Sequence, residues 1–395
     1  MEPIRFQVNK RVEAALKKHH PWIYRNQCSS ALQALPIGSL VRVVGTGNQF
    51  LGIGLYDPHS AIAIRIFSFE DVSLSEEFFL KKIHKAHHKR LSQLSSYKTN
   101  AYRLLHGEAD GFPGVTMDVY GDKAVVVFYL KSWQDFLSPV LKVFAGEIGL
   151  KHVFTKPPKG DSSSGTLHNL LTASDEAIEE PLWFIENDCD LPCYPVSGLK
   201  TGFFLDLREV RRTLPDYIPD QGRVLNLFAN DGALSAIALS CGAKQVTSVE
   251  RHDVGATHAR ELFARWELKF SAKDWIMGDA WEFLENTPGK TDCDLIILDP
   301  PSLASKKDQH HNLKQAWEFL HNKALQHLKP GGHLVSISCT ERLSRDEQIQ
   351  WTLSAGRLTK HTLTLVEELP ITFDHPEIKP LPERNYFRAM VWKNG

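Results

Sequence analysis

The pattern of apolar and polar positions changes character twice along the chain. Residues 1–70 read as mostly β. Pro36–Gly38 turns into Leu40–Val44, a Gly-Thr-Gly turn follows at 45–47, and Phe50–Tyr56 leads through Asp57-Pro58 into Ala61–Phe67, with alternating Ile62, Ile64 and Ile66. Short strands separated by turn signals predict a small barrel. Residues 75–95 read as a basic helix, and Ala124–Leu130 as a strong strand. Residues 155–180 are polar and rich in Pro, Ser and Gly, which predicts a loop or flexible insertion.

From about residue 221 strands and helices alternate. Strands are expected at Arg223–Phe228, Gln245–Glu250, Trp275–Met277, Asp294–Leu298 and His333–Ser338, and later at 361–368 and 386–392. Helices are expected at Ala233–Cys241, Val254–Trp266, Leu313–Leu328 and Ser344–Ser354, with Lys329-Pro330-Gly331-Gly332 stopping the third. This alternation predicts an α/β fold with a parallel, doubly wound sheet. In such sheets a ligand sits beyond the C-terminal strand ends, where the strand order reverses. Asn230, Glu250, Asp279, Asp299 and Cys339 all fall at such ends, and that convergence says more than any single motif.

Composition adds limits. The chain has 395 residues, 42% of them hydrophobic and 24% charged, as in a globular protein. Its apolar runs are too short to span a bilayer, and MEPIRFQVNKRVEAALKKHH has no secretory apolar core. The six cysteines form neither a disulfide framework nor a metal site, because Cys189 and Cys193 lack a second pair. A cytoplasmic enzyme without metal is the simplest expectation.

The near-neutral total of −1 hides an asymmetry. Residues 1–107 carry 15 Lys/Arg against 7 Asp/Glu, a balance of +8, and the remainder carries 31 against 40. A basic module on an acidic body points to a polyanion such as RNA, with Lys10, Arg11, Trp22, Arg25, Lys81, Lys82 and Lys85 as candidate contacts. A solvated helix face is the bland alternative for the lysines.

The first strand–turn–helix reads Phe228-Ala-Asn-Asp-Gly-Ala233 and lacks G-x-G-x-x-G. One glycine is a poor cradle for a diphosphate, and no P-loop exists, so dinucleotides and nucleoside triphosphates are disfavoured. Glu250 lies 18 residues beyond Gly232, where a carboxylate can accept both ribose hydroxyls. Asp279 is placed to meet an adenine edge. Adenine, ribose and an amino-acid tail without phosphate describe S-adenosylmethionine.

Cys339 is the candidate nucleophile. A buried apolar thiol is the common case for cysteine, but this one follows a strand at the expected rim. Thiolate addition to C6 of a pyrimidine makes C5 nucleophilic toward a sulfonium methyl group. Asp299-Pro300-Pro301-Ser302 forms a stiff loop. A similar loop in amine methyltransferases ends in an aromatic residue, where this chain has Ser302. Asp299 could hold the cytosine edge or assist proton transfer.

These residues together resemble the bacterial 23S ribosomal RNA 5-methylcytosine methyltransferases that carry an N-terminal PUA domain. The resemblance runs almost end to end. It rests on His20-Pro-Trp-Ile23, on Tyr102-Arg-Leu104 with Gly107-Glu-Ala-Asp-Gly-Phe-Pro-Gly114, and on Lys200-Thr-Gly-Phe-Phe-Leu-Asp-Leu-Arg208. Leu225-Asn-Leu-Phe228, Val249-Glu250, Gly278-Asp279, Asp299-Pro-Pro301, Ser338-Cys339 and Asp374-His-Pro376 follow in the family's order. It implies a PUA-like domain at 1–72, a small α/β domain at 73–185, and a class I methyltransferase domain at 186–395 whose seven strands include a reversed terminal hairpin. It also implies Cys339 as covalent nucleophile, and Phe203, Asp206, Arg208, Asn226, Phe228, Glu250, Asp279, Ala280 and Asp299 as cofactor contacts; Asn230 and Gly232 join these candidates from their place in the loop after the first strand of the alternating region. The implied partner is large-subunit rRNA, unfolded or partly assembled; a homodimer is compatible. The chain departs from the pattern at Leu207, at Ala229–Gly232 and at an insertion around Ser162–Ser164. Methylation of another atom (guanine N7 or an exocyclic amine) and an RNA-binding protein with an inactive methyltransferase domain are the competing readings.

Overall fold

The computed structural model describes residues 2–28, 32, 35–130, 132–158, 165–287, 292–303, 310–377, 381 and 386–395. The Ser162–Ser164 departure lies outside them. The chain divides into two compact units. The first comprises 1–189, 193–205 and 373–382, and the second 190–192, 206–372 and 383–395. No helix among the described residues is long and apolar enough to cross a membrane.

The first unit opens with a five-stranded sheet of β1 (Ile4–Gln7), β2 (Trp22–Tyr24), β3 (Leu40–Val44), β4 (Phe50–Tyr56) and β5 (Ile62–Ser68), in the order β1-β3-β4-β5-β2. A short helix, α1 (Lys10–Leu16), interrupts the expected run of strands. Asn9 caps it by accepting the Val12 amide at 3.0 Å, and Val12 and Leu16 are buried. Next come α2 (Glu76–Leu94), β6 (Ala101–His106), β7 (Val115–Tyr120), β8 (Lys123–Phe128), α3 (Ser132–Ile148), β9 (His152–Lys156), β10 (Thr166–Asn169) and β11 (Ser174–Ala177). Their strands form a sheet in the order β11-β10-β9-β8-β7-β6. Strands β12 (Leu182–Glu186) and β13 (Cys189–Cys193) follow.

One feature departs from expectation. Within the segment 155–180, the described residues from 165 onward form strands rather than a loop: β10 and β11 make an antiparallel hairpin, and β10 pairs with β9. Its polar composition suits an edge strand, where Ser174, Asp175 and Ala177 are exposed. The buried Asn169 is satisfied by the Val153 amide and Glu176. The five-stranded and six-stranded sheets both lie in the first unit. Leu40, Ile53, Leu55 and Phe67 of the former share a core with Leu104, Val115 and Val126 of the latter and with Phe79 of α2 and Trp133 of α3. Each such buried side chain stabilises by about 1.5–3 kcal/mol, so this joint is no loose linker.

The second unit contains α4 (Arg208–Thr213), β14 (Arg223–Leu227), α5 (Ala233–Ser240), β15 (Gln245–Glu250), α6 (Asp253–Arg265), β16 (Trp275–Met277), α7 (Ala280–Asn286), β17 (Cys293–Leu298), α8 (His310–Leu325), β18 (Leu328–Ser338), α9 (Arg345–Leu358), β19 (Leu363–Leu369) and β20 (Arg388–Asn394). The sheet order is β16-β15-β14-β17-β18-β20-β19. Strands β14 to β18 run parallel, and β20 is antiparallel to β18 and β19. This is the seven-stranded methyltransferase sheet with its reversed hairpin. Leu295–Leu298 are fully buried, as a strand covered on both faces requires. Lys329–Gly332 do not precede the strand; they form an irregularity within β18, between the pairs Cys293–Leu328 and Leu295–His333.

Candidate active site

Parallel pairing of β14 to β18 puts their C-terminal ends on one edge of the sheet. The order reverses at β14, which lies between β15 and β17. Phe228, Asn230, Glu250, Asp279, Asp299 and Cys339 therefore meet along one rim.

The loop after β14 is tightly wound. Phe228, Asn230 and Gly232 have φ of 63°, 50° and 78°, in the left-handed region. Glu250 holds this loop: its carboxylate accepts the Asn230 amide at 2.9 Å and the His252 amide at 2.9 Å. One oxygen takes each bond, which leaves further lone pairs on both. Gly255 permits the arrangement, because a Cβ there would lie 2.4 Å from the Asn230 carbonyl oxygen. Asp279 caps α7 by accepting the Trp281 amide at 2.8 Å, and its other oxygen lies 3.7 Å from Arg251. A Cβ on the neighbouring Gly278 would meet nothing within 4 Å. Two carboxylates with lone pairs left, next to open backbone, suit ribose hydroxyls and an adenine edge and would repel phosphate. The residues present thus fit S-adenosylmethionine.

Asp231 was missed by the sequence reading. It is 7% exposed, and its carboxylate accepts the Ala233 amide at 3.0 Å. Burial raises its pKa to about 6, against the opposing pull of that amide and of Arg211. An acid immediately before the loop glycine was the available signal.

On the other side of the switch point, the loop after β17 meets the turn after β18. Cys339 is half-buried, and its thiol donates to the Pro300 carbonyl at 3.6 Å. The Leu303 amide donates to the Thr340 hydroxyl oxygen at 3.1 Å. The Thr340 amide in turn donates to Ser338 at 3.2 Å, and Arg388 donates to the Leu343 carbonyl at 2.7 Å. Cys339 is the partly exposed residue between the buried Ser338 and Thr340.

Other expected contacts sit differently. Asn226 is buried, and its side-chain amide donates to the Ser235 hydroxyl oxygen at 2.8 Å, tying α5 to the sheet. Asp206 accepts the Tyr386 hydroxyl at 2.9 Å. Arg208 and Ala280 are buried at the starts of α4 and α7. Phe203 belongs to the first unit, edge-on to Phe184 with ring centres 5.0 Å apart.

Three of the candidate RNA contacts have partners within the first unit. Trp22 is 5% exposed and donates its indole N–H to Glu108 at 2.9 Å. Arg25 donates to the carbonyls of Asp57 and Ser60. Lys82 donates to the carbonyls of Phe67 and Gly111 at 2.7 and 2.9 Å, and burial lowers its pKa to about 8. All three are engaged inside the first unit, because a polar tip that folding buries must find a partner there. Lys10, Arg11, Lys81 and Lys85 are exposed.

Comparison with known proteins agrees with this anatomy. The PUA-like domain family matches residues 6–69, and the family described as conserved hypothetical protein 95 matches residues 208–355. A ribosomal RNA large subunit methyltransferase from Deinococcus radiodurans is 31% identical over 363 residues, covering 90% of this chain and 89% of its own. Ribosomal RNA large subunit methyltransferase I from Shewanella denitrificans is 29% identical over 399 residues, covering 98% of each chain. The fold matches that of a SAM-dependent methyltransferase from Streptococcus mutans with a TM-score of 0.82 at 21% identity, covering 99% of this chain and 100% of that one.

Proposed function

The chain belongs to the ribosomal RNA large subunit methyltransferases with an N-terminal PUA-like domain, and from that premise we propose that it methylates C5 of a cytosine in 23S rRNA. S-adenosylmethionine is the cofactor, and when bound it supplies an electrophilic methyl group on a sulfonium. Glu250 accepts the ribose hydroxyls, and Asp279 with the backbone at Gly278 meets the adenine.

The observation that carries the reading is the place of Cys339: partly exposed, beside the Asp299-Pro300-Pro301 loop, on the rim that also carries Glu250 and Asp279. The Pro300 carbonyl directs the resting thiol toward that loop. After its proton is lost to solvent, the sulfur adds to C6 and the C5–C6 π pair moves to C5. C5 would then take the methyl group from the sulfonium, whose S–CH3 bond breaks with its electron pair left on sulfur, so that S-adenosylhomocysteine would leave as a neutral thioether. A base removes the C5 proton, the carbon–sulfur bond breaks, and the double bond is restored. Asp299 accepts a hydrogen bond from the exocyclic amine, which uracil lacks. The target base must leave its stack to reach the thiol, which favours single-stranded or partly assembled RNA.

RNA containing 5-fluorocytidine tests this, because fluorine at C5 blocks the elimination. The native enzyme should form an adduct that survives denaturing electrophoresis. Cys339→Ala should form none and methylate nothing, while binding S-adenosylmethionine normally by calorimetry. Methyl transfer by Cys339→Ala would falsify the covalent mechanism, and nucleoside mass spectrometry showing another methylated atom would overturn the cytosine assignment.

A further inference from the structure

Two separate contacts join the loop after β17 to the turn after β18. One is the thiol of Cys339 on the Pro300 carbonyl at 3.6 Å, and the other is the Leu303 amide on the Thr340 hydroxyl oxygen at 3.1 Å. The first is a long, weak sulfur hydrogen bond, and it must be given up when the sulfur adds to a base. The second involves no reacting atom and can persist through the reaction. Thr340 is 2% exposed, so its hydroxyl oxygen serves this internal partner rather than solvent. Its own backbone is fixed by the Ser338 side chain, and the turn continues through the Leu343 amide on the Thr340 carbonyl at 3.1 Å.

We propose that Thr340 is a positioning residue, whose hydroxyl oxygen fixes the Cys339 turn against the Asp299–Leu303 loop and so sets the approach of sulfur to the base. The inference rests on the covalent reading of Cys339. The need for such a clamp follows from geometry. Cys339 and Asp299 end different strands, and side chains acting on one ring must keep their separation after the Pro300 contact is lost. A displacement of about 1 Å at a reacting centre can lower a rate about a hundredfold.

The test compares Thr340→Val, Thr340→Ala and Thr340→Ser. Valine and alanine both remove the acceptor, valine with nearly the original volume. Serine keeps it. Adduct formation with 5-fluorocytidine RNA in a single turnover should slow by about tenfold or more in the first two variants. RNA affinity by fluorescence anisotropy and S-adenosylmethionine affinity by calorimetry should stay near wild type. Thr340→Ser should keep most of the rate. Wild-type rates in the valine and alanine variants would overturn the role, as would a serine variant as slow as valine. So would unfolding of both the valine and alanine chains, which would make Thr340 purely structural. Cys339→Ala run alongside separates the two levels. If it still methylates, both proposals fall; if it is inert while the valine and alanine variants match wild type, only the role of Thr340 falls.

Discussion

Glu250 accepts the backbone amide of Asn230 at 2.9 Å across the mouth of the β14–α5 turn. The carboxylate proposed to hold the ribose thus also braces the loop on which the rest of the cofactor would lie. Its removal takes away a ligand contact and a loop restraint together. Glu250→Ala should weaken S-adenosylmethionine binding by at least about tenfold, since hydrogen bonds to a charged group contribute roughly 1.5–3 kcal/mol. Glu250→Gln, which keeps an acceptor, should lose less. Calorimetric titration reads both, and an alanine variant that binds as tightly as the native chain would count against this cofactor site.

Asp231 makes the second unit sensitive to pH. Its carboxyl is raised from 3.8 to about 6, so between those values the folded chain holds a proton that the unfolded chain has released. Stability therefore falls as pH rises through this window, and the full penalty, of the order of 3 kcal/mol, applies above about pH 6. Asp231→Asn keeps an acceptor for the Ala233 amide and removes the charge. It should raise the urea midpoint of the second unit at pH 8 and have little effect at pH 4. Equal effects at both pH values would show that burial of this charge is not the cause.

Histidines give the first unit the opposite dependence. Burial lowers His87 to about 4 and holds His106 well below the ordinary histidine value of 6.5, with His375 and Arg103 adding to the effect at His106. Between the folded and unfolded values the unfolded chain binds more protons. Stability is present above about pH 6.5 and is lost as pH falls toward 4. Thermal unfolding of the first unit should move to lower temperature between pH 7 and pH 5, and His87→Phe should reduce that shift. A midpoint independent of pH over this interval would contradict the buried, neutral state of these rings.

The lysines of α2 should separate into two kinds. Lys81→Glu and Lys85→Glu reverse exposed charges and should weaken RNA binding and flatten its dependence on salt. Lys82→Met removes an ammonium that bridges two carbonyls, so it should lower the melting temperature instead. Filter binding over a salt series, together with thermal melts, distinguishes them. An Lys82→Met chain with native stability and impaired RNA binding would restore Lys82 to the contact surface.

The sequence alone determined much of the second unit. Strand–helix alternation after residue 221 located β14 to β17 within a residue or two, because buried parallel strands read as continuous apolar runs bounded by turns. It also put Glu250, Asp279, Asp299 and Cys339 at strand ends, a matter of chain position. Tertiary structure decided what periodicity cannot express. The order β16-β15-β14-β17-β18-β20-β19 comes from pairing between distant segments, and only that order makes the four residues neighbours. Trp22 and Lys82 are polar at one end and apolar along the stem, and only the tertiary structure brings the carboxylate of Glu108 and the carbonyls of Phe67 and Gly111 to their polar tips. The polar hairpin of β10 and β11 carries no strand signal in the sequence, because the edge strand β11 needs no apolar alternation. Thr340 gave no signal at all, since a hydroxyl acquires its role only when another segment brings a backbone amide to it.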